Sequence, residues 1–146
     1  MAFNAVALPD PTPDLITVLE AAGLPTDDLH ESGRRFYRFE DDGGLIGFGG
    51  LEQVGSDALI RSIVVVDARR GSGLGAEVLS WLEARAAEQK ATALYLLTTS
   101  ATAFFQRQGY VILPRSAAPA AIAASRQFSG LCPVSATFMF KDLRSQ

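Results

Sequence analysis

One stretch of the 146-residue chain, Arg70-Gly71-Ser72-Gly73-Leu74-Gly75, has the composition of an anion cradle. Gly71, Ser72, Gly73 and Gly75 are small enough for backbone to come close to a ligand. The stretch follows the apolar run Leu59-Ile60-Arg61-Ser62-Ile63-Val64-Val65-Val66 and precedes a long helical pattern, so it reads as strand, glycine turn, helix. N–H groups at a helix start have no partner within the helix and sit at the positive end of its dipole. A phosphate or pyrophosphate is their natural guest. A Walker loop would need Gly-Lys-Ser/Thr, and no Lys occurs between Leu59 and Glu88; a dinucleotide fold would place G-x-G-x-x-G after the first strand of a βαβ unit. Neither description fits. The second chemical signal is a carboxylate, Glu52, near an arginine, Arg61, that interrupts an apolar strand.

The elements that must place these groups follow from pattern. Phe3 to Leu8 reads as a strand, and Thr12 with Pro13 caps a helix that carries Leu15, Ile16, Leu19 and Ala22 on one face and stops at Gly23. Pro25 to Glu31 reads as a second capped start, whose His30 is either catalytic or a surface residue. Arg35 to Glu40 is a strand of alternating character, turned by Asp41-Asp42-Gly43-Gly44 into a second strand, Leu45 to Gln53. Glycines at 47, 49 and 50 weaken that strand unless it bends strongly or something passes close to its backbone. If Gly55-Ser56 forms a two-residue hairpin loop, Glu52 pairs with Leu59, and Glu52 and Arg61 become diagonal neighbours on one face. A slip of one residue would send Glu52 to the other face. The pair is then either a structural ion pair or a working site in which Arg61 offers its planar fork to a carboxylate. Ala76 to Ala86 forms a helix with Val78, Leu79, Leu82 and Ala86 inward, and Leu94 to Thr98 a further strand. Pro114 to Pro119 is a connection, Ala120 to Phe128 an alanine-rich helix, and Thr137 to Lys141 the last strand.

Composition bounds the function. Residues 1–146 fit one domain with enough apolar residues, 48%, to bury a core. A net charge of -3 and no basic stripe beyond Arg34-Arg35 and Arg69-Arg70 argue against nucleic acid as a partner. No apolar run approaches the roughly 18 residues of a membrane span, so no membrane partner is expected. A lone cysteine, Cys132, and a start without basic and apolar parts point to a reducing cytoplasm. No metal is called for.

The order Arg-x-x-Gly-x-Gly resembles the coenzyme A pyrophosphate loop of the GNAT N-acetyltransferase superfamily. Ala101-Thr102-Ala103-Phe104-Phe105-Gln106-Arg107-Gln108-Gly109-Tyr110 resembles that superfamily's A-x-x-F-Y-x-x-x-G-F segment. The resemblance implies an α/β fold: a mostly antiparallel mixed sheet with one splayed parallel pair and helices on both faces. It implies acetyl-CoA as cosubstrate, bound by backbone around Ile63, Val64 and Val65, by Arg70, Gly71, Ser72, Gly73, Leu74 and Gly75, and by Thr98, Phe104 and Phe105. Arg69 and Arg70 would add charge near the phosphates, one of them being only a solvated arginine. The acetyl acceptor would be the primary amine of a small molecule, attacking directly in a ternary complex with Glu52 as base, and Arg34, Arg61, Cys132 and Ser135 would line its site. Arg34-Arg35 is assigned to the connection before the first hairpin. Many members have a Tyr where this chain has Phe105, which lacks the hydroxyl to protonate the departing thiolate. Thr98, Ser100, Cys132, Ser135 or solvent would replace it, and a CoA thiol is a fair leaving group without help. Arg61-Ser62, Leu97-Thr98-Thr99 and Leu131-Cys132-Pro133-x-Ser135-Ala136 resemble a GNAT subfamily encoded with arsenic-resistance genes, which implies an arsenical or another amino-acid-like toxin as acceptor. A protein or aminoacyl amine is an alternative acceptor, a non-catalytic acyl-CoA-binding module an alternative role, and a homodimer through the late strands is compatible with the fold.

Overall fold

In a computed structural model, which describes residues 3–24, 26, 27, 29, 34–125 and 135–145, seven strands form one sheet. The strands are β1 (Asn4–Leu8), β2 (Arg34–Asp41), β3 (Gly44–Val54), β4 (Asp57–Val65), β5 (Ala93–Thr98), β6 (Val111–Ile112) and β7 (Thr137–Asp142). Among the described residues four α-helices accompany them: α1 (Pro13–Ala21), α2 (Leu74–Glu88), α3 (Thr102–Arg107) and α4 (Ala120–Ala123). The strand order is β1-β2-β3-β4-β5-β7-β6, antiparallel throughout except for β4 beside β5. The expected mixed sheet with one parallel pair is what the chain forms.

Helices cover both faces because each carries an apolar stripe of matching period. On one face, Leu74, Val78, Leu79, Leu82 and Ala86 of α2 and Phe105 of α3 pack on Tyr37, Phe39, Leu51, Ile60, Leu94 and Leu96. On the other, Leu15 and Leu19 of α1 pack on Phe36, Phe48 and Val64, while Ile122 of α4 joins Leu59, Tyr95 and Phe138. Thr12 caps α1 by accepting from the Leu15 amide, with Pro13 at its first position, and Arg38 of β2 binds Asp14 in its first turn. Most strand bounds shift by a single residue, and two helix bounds differ by more. The helix after the glycine loop starts earlier, at Leu74, and α4 ends at Ala123, short of the expected Phe128. Residues 126–128, like most of the 25–31 segment with its His30, lie outside the described residues.

Two irregularities shape the sheet. Along β3 and β4, Phe48 pairs with Val64 but Gly50 pairs with Arg61, so Gly49 alone faces both Ser62 and Ile63. This is a β-bulge, and Ser62 holds its left-handed position at φ +58°, where such bulges ordinarily use glycine. A non-glycine residue there costs about 1–2 kcal/mol. Glycine would relieve that strain while adding about 0.5–1 kcal/mol of unfolded-state entropy. Ser62→Gly is therefore expected to be neutral or stabilising by up to about 1 kcal/mol, and β-branched Ser62→Val to cost about 2 kcal/mol or more. Urea-unfolding midpoints of the two variants test that ordering.

The second irregularity is the parting of the parallel pair. β4 and β5 are in register only at Asp57↔Ala93, Ala58↔Leu94 and Leu59↔Tyr95. Beyond Leu59, β4 stays with β3 as far as Val65, while β5 stays with β7 as far as Thr98. The expected splay thus opens past Leu59, before the centre of β4 and on the approach to the bulge.

Candidate functional site

The glycine loop lies at the open end of this splay, between β4 and α2. Gly71 and Gly73 have φ of +84° and +80°, a left-handed backbone that side chains resist, and Gly73 is the residue from which α2 departs. Among the described residues, the amides from Gly71 to Ala76 find no acceptor within the chain. Leu74 turns its side chain into the core and offers only its amide, while Gly75 faces the Phe104 ring across ordinary contact distance. The result is a row of free donors at the head of a 15-residue helix, suited to a pyrophosphate.

The two arginines before the loop do different jobs. Arg70 is more than half exposed, with Nε donating to the Val65 carbonyl at 2.9 Å and Nη1 2.9 Å from Asp67. Arg69, expected near the phosphates or in solvent, is instead engaged away from the loop. Its guanidinium reaches the β2–β3 turn, donating to the Asp41 carboxylate at 2.5 Å and to the Gly44 carbonyl at 3.3 Å. Hydrogen bonding to Arg69 holds the Asp41 carboxyl below its ordinary value, helped by the Gly43 amide.

On the sheet face opposite α2, Glu52 pairs in register with Arg34 of β2 and Leu59 of β4, so the diagonal neighbourhood with Arg61 is realised. Glu52 Oε1 stands 3.7 Å from both Arg34 Nε and Arg61 Nη1. The Glu52 side chain is 11% exposed, those of Arg34 and Arg61 9% and 0%. Glu52 Oε1 is buried and has no hydrogen-bond partner among the described residues. The Arg61 guanidinium lies 5.6 Å from the Phe36 ring centroid, and its Nε donates to Ser62 Oγ at 3.4 Å. Arg34 is the first residue of β2 rather than part of the preceding connection, since pairing with Glu52 draws it into the ladder. Phe36 was not singled out from sequence, although the alternation of Arg34-Arg35-Phe36 puts it on the same face as Arg34.

The remaining expected site residues are spread around the splay. Val64 is buried against α1, while Ile63 and Val65 are half-buried on the α2 side. Phe104 is partly buried, and Phe105 is core, edge-on to Phe104 and Tyr110 at 5.1 and 5.6 Å. The Phe105 side chain packs in the core, where α3 turns it inward between its neighbours. Thr98 Oγ1 accepts from the Ala101 amide at 3.0 Å and the Ser100 amide at 3.4 Å, which leaves its O–H to donate elsewhere. Ser135 is exposed in the turn before β7, and Cys132 lies outside the described residues.

A family-wide sequence profile described as the Acetyltransferase (GNAT) domain matches residues 32–112, more than half of the chain. The chain belongs to the GNAT acetyltransferase family. The matched span of this GNAT chain runs from the start of β2 through β6 and holds the bulge, the splay and the glycine loop. Acetyl-CoA is the cosubstrate that goes with the family. None of the curated proteins matches the sequence. Solved structures share the fold at low identity. N-acetylglutamate synthase from Neisseria gonorrhoeae, complexed with coenzyme A and N-acetyl-glutamate, superposes with a TM-score of 0.79 at 18% identity over 98% of this chain and 35% of that one. This chain thus spans about a third of the length of that enzyme. A Bacillus subtilis acetyltransferase in complex with CoA gives 0.72 at 13% identity, over 97% of this chain and 99% of its own. A GNAT-family acetyltransferase from Staphylococcus aureus gives 0.70 at 17%, with the same coverage of 97% and 99%. Neither the profile nor these structures bears on the likeness to the arsenic-resistance subfamily.

Proposed function

We propose that this GNAT protein transfers the acetyl group of acetyl-CoA to the primary amine of a small, amino-acid-like molecule by direct attack in a ternary complex. The observation that carries the reading is the buried Glu52 oxygen, without a hydrogen-bond partner among the described residues, set between Arg34 and Arg61. A carboxylate in that state suits an ammonium, whose proton it takes directly or through one water, so that the free amine attacks the thioester carbon. The Arg61 guanidinium beside Glu52 presents a planar fork of donors, which suits an acceptor carrying its own carboxylate or a similar anion beside the amine. The row of amides from Gly71 to Ala76 would hold the pyrophosphate, and backbone of Ile63 and Val65 at the splay would face the pantetheine arm and polarise the acetyl carbonyl. As the C–S bond breaks, the thiolate takes a proton from solvent or from the Thr98 hydroxyl, Phe105 having none to give. The N-acetyl-glutamate bound to the Neisseria gonorrhoeae enzyme is in keeping with an acceptor of this class.

A second reading, a module that binds acyl-CoA without turning it over, draws on Phe105. The test is free-thiol release from acetyl-CoA across a panel of amino acids, their decarboxylated amines, and phosphinic and arsenical amino acids. The expected result is turnover with one or more of the acids and none with the matching amines. CoA binding with no thiol release on any acceptor would favour the module, and failure to bind CoA would overturn both.

A further inference from the structure

Arg69 links two parts of the chain that sequence sets 28 residues apart. Its side chain is fixed to the β2–β3 turn by the Asp41 carboxylate and the Gly44 carbonyl, and its own carbonyl accepts the Ser72 hydroxyl at 2.9 Å inside the glycine loop. The turn is shaped to receive it: Asp41 Oδ1 accepts the Gly43 amide at 2.9 Å, and a Cβ at Gly43 would come within 3.4 Å of Arg69 Nη1. A second tether runs alongside, the Val66 amide donating to the Ile46 carbonyl at 2.9 Å. Both Asp41 and Arg69 are largely shielded from solvent, at 15% and 21% side-chain exposure. A glycine-rich loop has many backbone states available, and its donors converge on one anion only if something outside the loop selects among them.

We propose that the Asp41–Arg69 pair is a positioning device that presets the pyrophosphate-binding conformation of the Arg70 to Gly75 loop from the β2–β3 turn. The inference rests on the acetyl-CoA reading of that loop. Neither side chain need touch the ligand; they act through the Arg69 main chain and Ser72. Loss of the pair leaves the loop to be ordered at the moment of binding, so the penalty falls on CoA affinity. The acceptor site, on the far face of the sheet, is not involved.

The test is calorimetric CoA affinity, with steady-state kinetics and thermal unfolding run beside it, on the parent, Asp41→Asn, Arg69→Gln, Asp41→Glu and the Asp41→Asn/Arg69→Gln double variant. Both single charge-removing variants are expected to weaken CoA binding and raise the acetyl-CoA KM by roughly tenfold, as for a contacting pair. The acceptor KM, and kcat at saturating acetyl-CoA, should stay within about twofold. Asp41→Glu should restore most of the affinity, and the double variant should be no worse than either single one, as required of a linked pair. Unchanged CoA affinity in Asp41→Asn and Arg69→Gln would overturn the inference while leaving the acetyl-CoA reading intact, even if their melting temperatures fall. Additive losses in the double variant would also overturn it. A parent that fails to bind CoA would remove the acetyl-CoA reading and this inference with it.

Discussion

Gly47→Ala is expected to be the most damaging single-methyl change in the sheet, costing about 3–5 kcal/mol, at the upper end of what point substitutions do. A Cβ at this position would lie 1.9 Å from the Val64 carbonyl oxygen, 2.9 Å from its carbon and 3.0 Å from Val65 Cα. All three are backbone atoms of the neighbouring strand, so no rotamer change relieves the overlap. β3 and β4 would have to separate where Gly47 pairs with Val65 and where the Val66 amide reaches Ile46. That end of β4 runs into the glycine loop, so whatever fraction of the variant still folds should bind CoA poorly. The two neighbouring glycines are the controls. At Gly49 the added carbon meets Leu82 Cδ1 at 2.7 Å, and at Gly50 it meets the Phe36 ring at 2.8 Å. Those are side-chain obstacles in a packed core, and Gly49→Ala and Gly50→Ala should cost about 1–3 kcal/mol. Denaturant midpoints for the three variants decide it: a Gly47→Ala protein as stable as Gly49→Ala would show that Val64 does not approach as described.

The glycines at 47, 49 and 50 illustrate how far the sequence reaches. Their clustering says that something crowds the strand. It does not say what, because the Val64 carbonyl arrives there only through the bulge at Ser62, and serine is not a residue type that announces a left-handed backbone. The register of Glu52 against Leu59 was legible because a two-residue turn at Gly55-Ser56 fixes it, and with it the neighbourhood of Arg61. Arg34 was harder to place. It follows a polar, glycine-containing segment and is the first residue of the ladder, opposite Glu52. The Asp41–Arg69 link is invisible in one dimension, since an aspartate in a turn and an arginine before a glycine loop are each unremarkable until the hairpin folds back over β4. Phe105 shows the opposite limit. The motif marks its position correctly on α3, but whether its side chain faces a ligand or the core is decided by packing with Phe104 and Tyr110.

Glu52→Gln separates the two roles open to the buried carboxylate. The substitution keeps the shape of the side chain and removes its charge and its capacity to accept a proton. If Glu52 serves to neutralise Arg34 and Arg61, the loss appears as stability, because removing one member of a buried ion cluster costs up to about 3–5 kcal/mol. Activity per folded molecule would then change little. The geometry argues for a smaller structural share. Both arginine nitrogens stand at 3.7 Å, well beyond the roughly 2.7–2.9 Å of a charge-assisted hydrogen bond, and Oε1 has no such bond among the described residues. Burying an oxygen in that state is costly unless a ligand completes it. The expected result is therefore a fall in kcat of about 10²-fold or more with CoA affinity unchanged, measured well below the melting temperature. Glu52→Asp, which keeps the charge but withdraws it by about one methylene, should lose activity nearly as heavily, since a misplacement of about 1 Å can cost on the order of 10²-fold. Its stability should stay closer to the parent than that of Glu52→Gln. A Glu52→Gln protein that unfolds easily yet turns over at the parental rate when folded would assign the carboxylate to the ion cluster and leave the proton to water.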